Sequence, residues 1–98
     1  MYDVRLTKQA AKDAVHLERA GLKPKAAALL QMLRENPYRN PPEYEKLTED
    51  MAGSCSRRIN RQHRLVYEVL PNTEQRKDET GKPYQGIVKV MRMWTHYE

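Results

Sequence analysis

Ser56-Arg57-Arg58-Ile59-Asn60-Arg61-Gln62-His63-Arg64-Leu65-Val66-Tyr67 places four arginines in two short runs that otherwise read as β-strands. Leu65, Tyr67 and Val69 alternate with Arg64, Val66 and Glu68, the period of a half-buried strand, and Ile59 closes the preceding strand on the same buried side. With Asn60-Arg61-Gln62 as a three-residue loop, the runs form a hairpin in which Ile59 faces His63 and Arg58 faces Arg64. A two-residue turn breaks that pairing. Like charges directly opposite weaken a sheet by up to about 1 kcal/mol, so a fold gains from this placement only if an anion sits between the two guanidiniums. Planar forks on a rigid sheet suit phosphate. From Met51 to Tyr67 there is no acidic residue.

Working outward, the 98 residues suffice for one domain with its own core and no second unit. Lysine and arginine number 18 against 13 acids, a net charge of +5. Residues 1–50 carry 9 basic and 8 acidic side chains and residues 51–98 carry 9 and 5, so the positive field belongs to the second half. Such a field favours nucleic acid or an acidic protein as partner, although a solvated face explains many charge excesses of this size. Cys55 is the only cysteine, which excludes an intrachain disulfide and a thiolate metal cluster. No long apolar core follows Met1, and nowhere do eighteen apolar residues run together. The expectation is a soluble cytoplasmic protein that makes no membrane contact.

Tyr2, Val4 and Leu6 predict a short first strand. Thr7 offers an N-cap, and the spacing of Ala10, Ala11, Ala14, Val15 and Glu18 before Gly21 predicts a helix from Lys8 to Ala20. A second helix begins near Pro24 with the stripe Ala26, Leu29, Leu30 and Leu33, and Asn36-Pro37 stops it. Three prolines between Asn36 and Glu43 predict an extended return. Strands follow at Tyr44 to Leu47, Ser54 to Ile59, His63 to Leu70 and, most strongly, Ile87 to Trp94. Pro71 to Gly86 is apolar-poor and rich in turn residues, and it reads as a long, mobile hairpin loop, a tolerated insertion rather than a site. The fold class is therefore α+β: one domain over 1–98, with two N-terminal helices packed on one face of a small, mainly antiparallel sheet whose other face is open for function.

There is no Gly-rich phosphate loop, no Ser-centred elbow and no His/Cys/Asp cluster at metal-ligand spacing, and no cofactor is expected. Of the three histidines, His16 reads as a helix-side surface residue and His63 as a buried orienting partner. His96 follows the strongest strand and stands beside Tyr97, which raises it above an ordinary chain end. Glu45, by composition alone, is a solvent-facing glutamate.

The run Ser56-Arg57-Arg58-Ile59, then His63-Arg64-Leu65-Val66-Tyr67 and the terminal His96-Tyr97, resembles the Txe/YoeB branch of the RelE superfamily of bacterial toxins. Glu45-Lys46-Leu47 and Gly53 precede the arginine pair at the family's distance, and Trp94-Thr95-His96-Tyr97-Glu98 is similar to the ending of one subgroup. The resemblance implies a messenger RNA endoribonuclease acting in the ribosomal A site without metal. It implies Glu45 as general base, His96 as general acid and Arg64 as phosphate stabiliser, with Arg58 assisting and Tyr97 shaping the base pocket. Lys46, Arg57 and Arg61 are expected to contact the substrate as well. It also implies a YefM/Phd-like antitoxin with an acidic C-terminal segment, and operator DNA contacted only through that antitoxin. Cys55 stands where the family often has an aromatic residue, Thr48 where a basic residue is common, and the loop from Pro71 to Gly86 exceeds the family minimum.

The chemistry agrees with these residue types. Metal-free RNA cleavage needs the ribose 2′-hydroxyl deprotonated, the charge growing on phosphate matched and the leaving oxygen protonated, tasks that suit a carboxylate, guanidiniums and an imidazole. Two rivals share the fold: a toxin that inhibits DNA gyrase by binding it, and an RNA-binding module that does not cut. Neither needs Glu45 and His96, and fold alone does not separate the three.

Overall fold

The computed structural model describes residues 1–47 and 53–94. Strand β1 (Asp3–Leu6) leads into helices α1 (Lys8–Arg19) and α2 (Lys23–Glu35), followed by strands β2 (Tyr44–Lys46), β3 (Ser54–Arg58), β4 (Arg64–Leu70) and β5 (Ile87–Arg92). The five strands form one sheet in the order β1-β5-β4-β3-β2, antiparallel except for the β1–β5 pair. Both helices pack on one face, and the expected α+β architecture is what the chain adopts.

Local chemistry sets the helix ends. The Thr7 hydroxyl accepts from the Ala10 amide at 3.1 Å and donates to the Met91 carbonyl at 3.1 Å, so one side chain caps α1 and ties it to β5. At the other end Gly21 takes φ 76°, and the Gly21 and Leu22 amides return to the Glu18 and Leu17 carbonyls at 3.1 and 2.9 Å. This left-handed closure turns the chain sharply into α2. Pro24 then occupies the first turn of α2, where no amide is needed.

The core lies between helices and sheet. Leu17 and Leu33 from the helices meet Leu65, Tyr67, Val88 and Val90 from β4 and β5, all at most 1% exposed. Between Val66 and Tyr67 the β4–β5 register shifts: Val66 pairs with Arg92 and Tyr67 with Val90, leaving Met91 as the extra residue. Its carbonyl is the one Thr7 takes up. Val66, expected on the open face, is only 3% exposed, and its partner Ser56 is buried as well.

The chain ends β5 at Arg92 rather than Trp94 because the Met93 amide donates to a side chain instead of a strand. The acceptor is Asp13 Oδ2, at 2.9 Å, which also takes Arg92 Nε at 3.0 Å, while Asp13 Oδ1 takes Gln9 Nε2 at 2.9 Å. Burial pushes this carboxyl up, but the Met93 amide, the Gln9 amide and the Arg92 guanidinium outweigh it and hold the carboxyl below its ordinary value. Its contribution to stability is therefore complete above the unfolded aspartate range, about 3.9, and is lost as the pH falls through the lower folded value. Thermal melts from neutral to strongly acid pH should show Asp13→Asn less stable at neutrality and less sensitive to acid than the wild type. Parallel curves for the two proteins would refute this.

The hairpin segment from Pro71 to Gly86 carries a set of internal hydrogen bonds. Asn72 Nδ2 donates to the Arg76 and Tyr84 carbonyls at 3.0 and 3.1 Å, and its Oδ1 accepts the Arg76 amide at 3.0 Å. Asp78 Oδ1 accepts the Thr80 and Lys82 amides, and Lys77 bridges Pro83. Gln85 donates to the Met1 carbonyl at 2.8 Å and so joins this hairpin to the start of the chain. Among the described residues no helix is long and apolar enough to cross a membrane.

Candidate active site

Strand alternation assembles the site. The register pairs Glu45 with Ser56, Ser56 with Val66 and Arg58 with Arg64, so Glu45, Ser56, Arg58 and Arg64 share one face of the sheet. The two arginines stand opposite each other, as the three-residue turn requires: the Ile59 and Asn60 amides both return to the His63 carbonyl. Asn60 Oδ1 closes the turn by accepting the Gln62 and His63 amides.

Arg64 is oriented. Its Nε donates to Ser56 Oγ at 2.6 Å and its Nη2 lies 3.7 Å from Glu45 Oε2. The Arg64 side chain is 15% exposed and that of Glu45 72%. A pair this open contributes roughly 0–1 kcal/mol, so the carboxylate can leave the guanidinium for a ligand at little cost. With Asn40, Pro42, Glu43, Tyr44 and Arg58, these residues line an open groove of about 620 Å³. It presents carboxylates from the β2 side and guanidiniums from β3 and β4. Such an arrangement can accept a proton on one side and match an oxyanion on the other.

Arg57 is a correction. Expected at the substrate, it is completely buried. Its register partner is Leu65, so it points to the helix side of the sheet. There Nε donates to the Tyr67 hydroxyl at 3.0 Å, Nη1 to the Pro42 carbonyl at 2.6 Å, and Nη2 to the Pro37 and Arg39 carbonyls at 2.9 and 2.7 Å. The guanidinium also lies 4.6 Å from the centre of the Tyr44 ring. Burial pushes the Tyr67 phenol up to about 12 against the pull of Arg57, so it stays neutral and donates to the Pro37 carbonyl at 2.7 Å. Arg57 thus pins the proline-rich return that forms one wall of the groove.

Two other expected contacts are displaced. Lys46 follows Glu45 and points to the opposite face, where it borders a separate groove with Tyr38, Leu47, Cys55 and Val69. Arg61 is exposed in the hairpin turn and does not line the groove of Glu45 and Arg64. His63 is 2% exposed and its ring stacks on Trp94 at 3.7 Å between centroids, while His16 approaches the same indole at 5.5 Å. His96 and Tyr97, like Thr48, lie outside the described residues. Among the described residues no cluster of three or more His, Cys, Asp or Glu could hold a metal ion.

The sequence family described as the YoeB-like toxin of bacterial type II toxin–antitoxin systems matches residues 6–97. The chain belongs to that family. Among solved structures, a YoeB/ParE toxin from Agrobacterium tumefaciens is 26% identical, with a TM-score of 0.76 over 97% of this chain and 99% of that one. The YoeB dimer from Staphylococcus aureus is 26% identical with a TM-score of 0.71, over 98% of each chain. YoeB in the YoeB-YefM complex from the same organism is 25% identical with a TM-score of 0.68, over 99% of each. Comparison with curated proteins gives no match.

In this YoeB-like chain, the residues that sequence reasoning missed are Ser56, Glu43, Asn40 and Pro42. Ser56 was within reach, since alternation places it between Glu45 and Val66, on the side of Arg58 and Arg64. The Asn40–Glu43 wall had no such signal, because it is positioned by carbonyl groups that any residue could supply.

Proposed function

We propose that this YoeB-like toxin is a metal-independent endoribonuclease that cuts messenger RNA in the ribosomal A site. The observation that carries the reading is the groove in which Glu45 stands 3.7 Å from an Arg64 that Ser56 orients, with Arg58 opposite. Glu45 takes the proton of the ribose 2′-hydroxyl, whose oxygen attacks the adjacent phosphorus. Arg64 and Arg58 match the charge that develops on the non-bridging oxygens. His96 protonates the departing 5′-oxygen, and the products are a 2′,3′-cyclic phosphate and a 5′-hydroxyl end. Tyr97 offers a ring on which an unstacked base can rest. DNA lacks the nucleophile and is not cut.

A chain of this kind needs an antidote in its own cell. A YefM/Phd-like antitoxin with an acidic C-terminal segment, folding as it binds the basic groove and carrying the pair to operator DNA, supplies one. The Staphylococcus aureus relative is in complex with YefM, which supports that partner here, and the cytoplasm is where the ribosome and the antitoxin meet it.

Expression without antitoxin should arrest translation, and primer extension on messenger from arrested cells should show new 5′ ends within codons. Arrest with intact messenger and altered DNA supercoiling would instead establish the gyrase-inhibiting alternative.

A further inference from the structure

We propose that Asp13, a buried carboxylate on α1, is a positioning residue for the cleavage step, fixing the point from which the chain leaves the sheet toward His96. The inference rests on the nuclease reading above. Asp13 is 1% exposed. Its Oδ2 accepts both the Met93 amide at 2.9 Å and Arg92 Nε at 3.0 Å, and Arg92 Nη2 continues to the Trp94 carbonyl at 3.1 Å. One carboxylate therefore gathers three consecutive residues, Arg92, Met93 and Trp94, just where strand pairing has ended. A lone exposed surface pair explains none of this, because the backbone amide of Met93 is itself consumed.

Two geometric consequences follow. His96 comes two positions after Trp94, and two residues span at most about 7 Å of extended chain. Trp94 is therefore an anchored residue only two positions in sequence from the proposed acid. The Trp94 ring, in turn, stacks on His63 at 3.7 Å, and His63 immediately precedes Arg64, whose guanidinium is set in the groove by Ser56. Asp13 thus connects, through Trp94, the root of the segment that carries the acid to the strand that carries the phosphate ligand. Catalytic geometry is unforgiving, since a displacement of about 1 Å can cost on the order of 10²-fold in rate.

Trp94 is the single tryptophan, so its fluorescence reports on this root directly. The test uses the full chain with Asp13→Asn and, separately, Arg92→Gln, whose side chain is 44% exposed and can be changed without opening the core. Acrylamide quenching of Trp94 should rise in both. Single-turnover cleavage at saturating ribosomes should fall by about ten-fold, with ribosome affinity within about two-fold of wild type, the split expected when only the reacting geometry is disturbed. Asn72→Ala, which breaks the hydrogen bonds of the 71–86 hairpin and shares no partner with Asp13, Arg92 or Trp94, should leave Trp94 quenching and the cleavage rate of the folded protein unchanged. Unaltered quenching in the two variants overturns the anchor, and raised quenching with wild-type cleavage overturns the positioning role. If Asp13→Asn does not fold, Arg92→Gln decides by the same readings. If the wild-type protein does not cut messenger at all, the nuclease reading fails and the positioning role with it, while the quenching still decides whether Asp13 holds Trp94.

Discussion

Glu45→Gln is expected to lower single-turnover cleavage of ribosome-bound messenger by at least about 10²-fold, the usual scale for losing one proton-transfer group. Glutamine keeps the size of the side chain and its hydrogen-bonding oxygen but cannot take the 2′-hydroxyl proton. Ribosome affinity should stay nearly unchanged, because Glu45 is exposed at the groove and adds no attraction for RNA. His96→Gln is expected to behave alike through the other proton. Arg64→Ala should hurt more than Arg64→Lys: an ammonium preserves a point charge near the phosphate, but loses the fork that Ser56 holds in place. The measurement is a single-turnover rate beside a binding isotherm for each variant. Wild-type cleavage by either Glu45→Gln or His96→Gln removes that residue from catalysis.

Arg57→Met should be the most destabilising single change in this part of the chain, by about 3–5 kcal/mol against a whole-domain stability of roughly 5–15 kcal/mol. The fully buried guanidinium satisfies three carbonyls and a phenol, and each buried polar group left without its donor costs about 1–3 kcal/mol. Removing a buried cation recovers part of its desolvation cost, which is why the expected loss is smaller than the sum over partners. Arg57→Lys should fall close to Met, since one ammonium cannot reach carbonyls spread from Pro37 to Pro42 and the Tyr67 hydroxyl together. Urea unfolding gives the number. Stability within about 0.5 kcal/mol of wild type, combined with a ribosome-binding salt slope reduced by about one, would restore Arg57 to the phosphate contacts that its neighbours in sequence suggest.

Arg57 also shows how far the sequence can be read. The alternation that puts Arg58 opposite Arg64 necessarily puts Arg57 opposite Leu65, on the buried side. Its charge argued for solvent; its register argued for the core, and register prevailed because the proline-rich return offered enough carbonyls to replace water. Helix limits were legible because Thr7, Gly21 and Pro24 each act within one turn of their own position. Asp13 was not, since its partners on β5 and just beyond lie 79 and 80 positions away and nothing in the spacing of α1 announces them. The shift at Met91 was equally hidden: nothing in the run Ile87-Val88-Lys89-Val90-Met91 marks an extra residue. Within the site, alternation fixed the company of Arg58 and Arg64, whereas the Asn40–Glu43 wall depended on a long-range tie made by backbone atoms.

The parallel pairing of β1 with β5 sets an order of assembly. Asp3 is matched to Ile87 and Leu6 to Val90, so the first strand made must wait for the last of the seven elements before its edge is covered. The β3–β4 hairpin and the α1–α2 pair can form from near neighbours, and loop closure for β1 comes after them at a larger entropic cost. β5 is thus the keystone, laid between β1 and the rest of the sheet. The strands that carry Glu45, Arg58 and Arg64 pair with near neighbours and Arg57 ties the proline-rich wall of the groove to them, while β1 joins the sheet only when β5 docks.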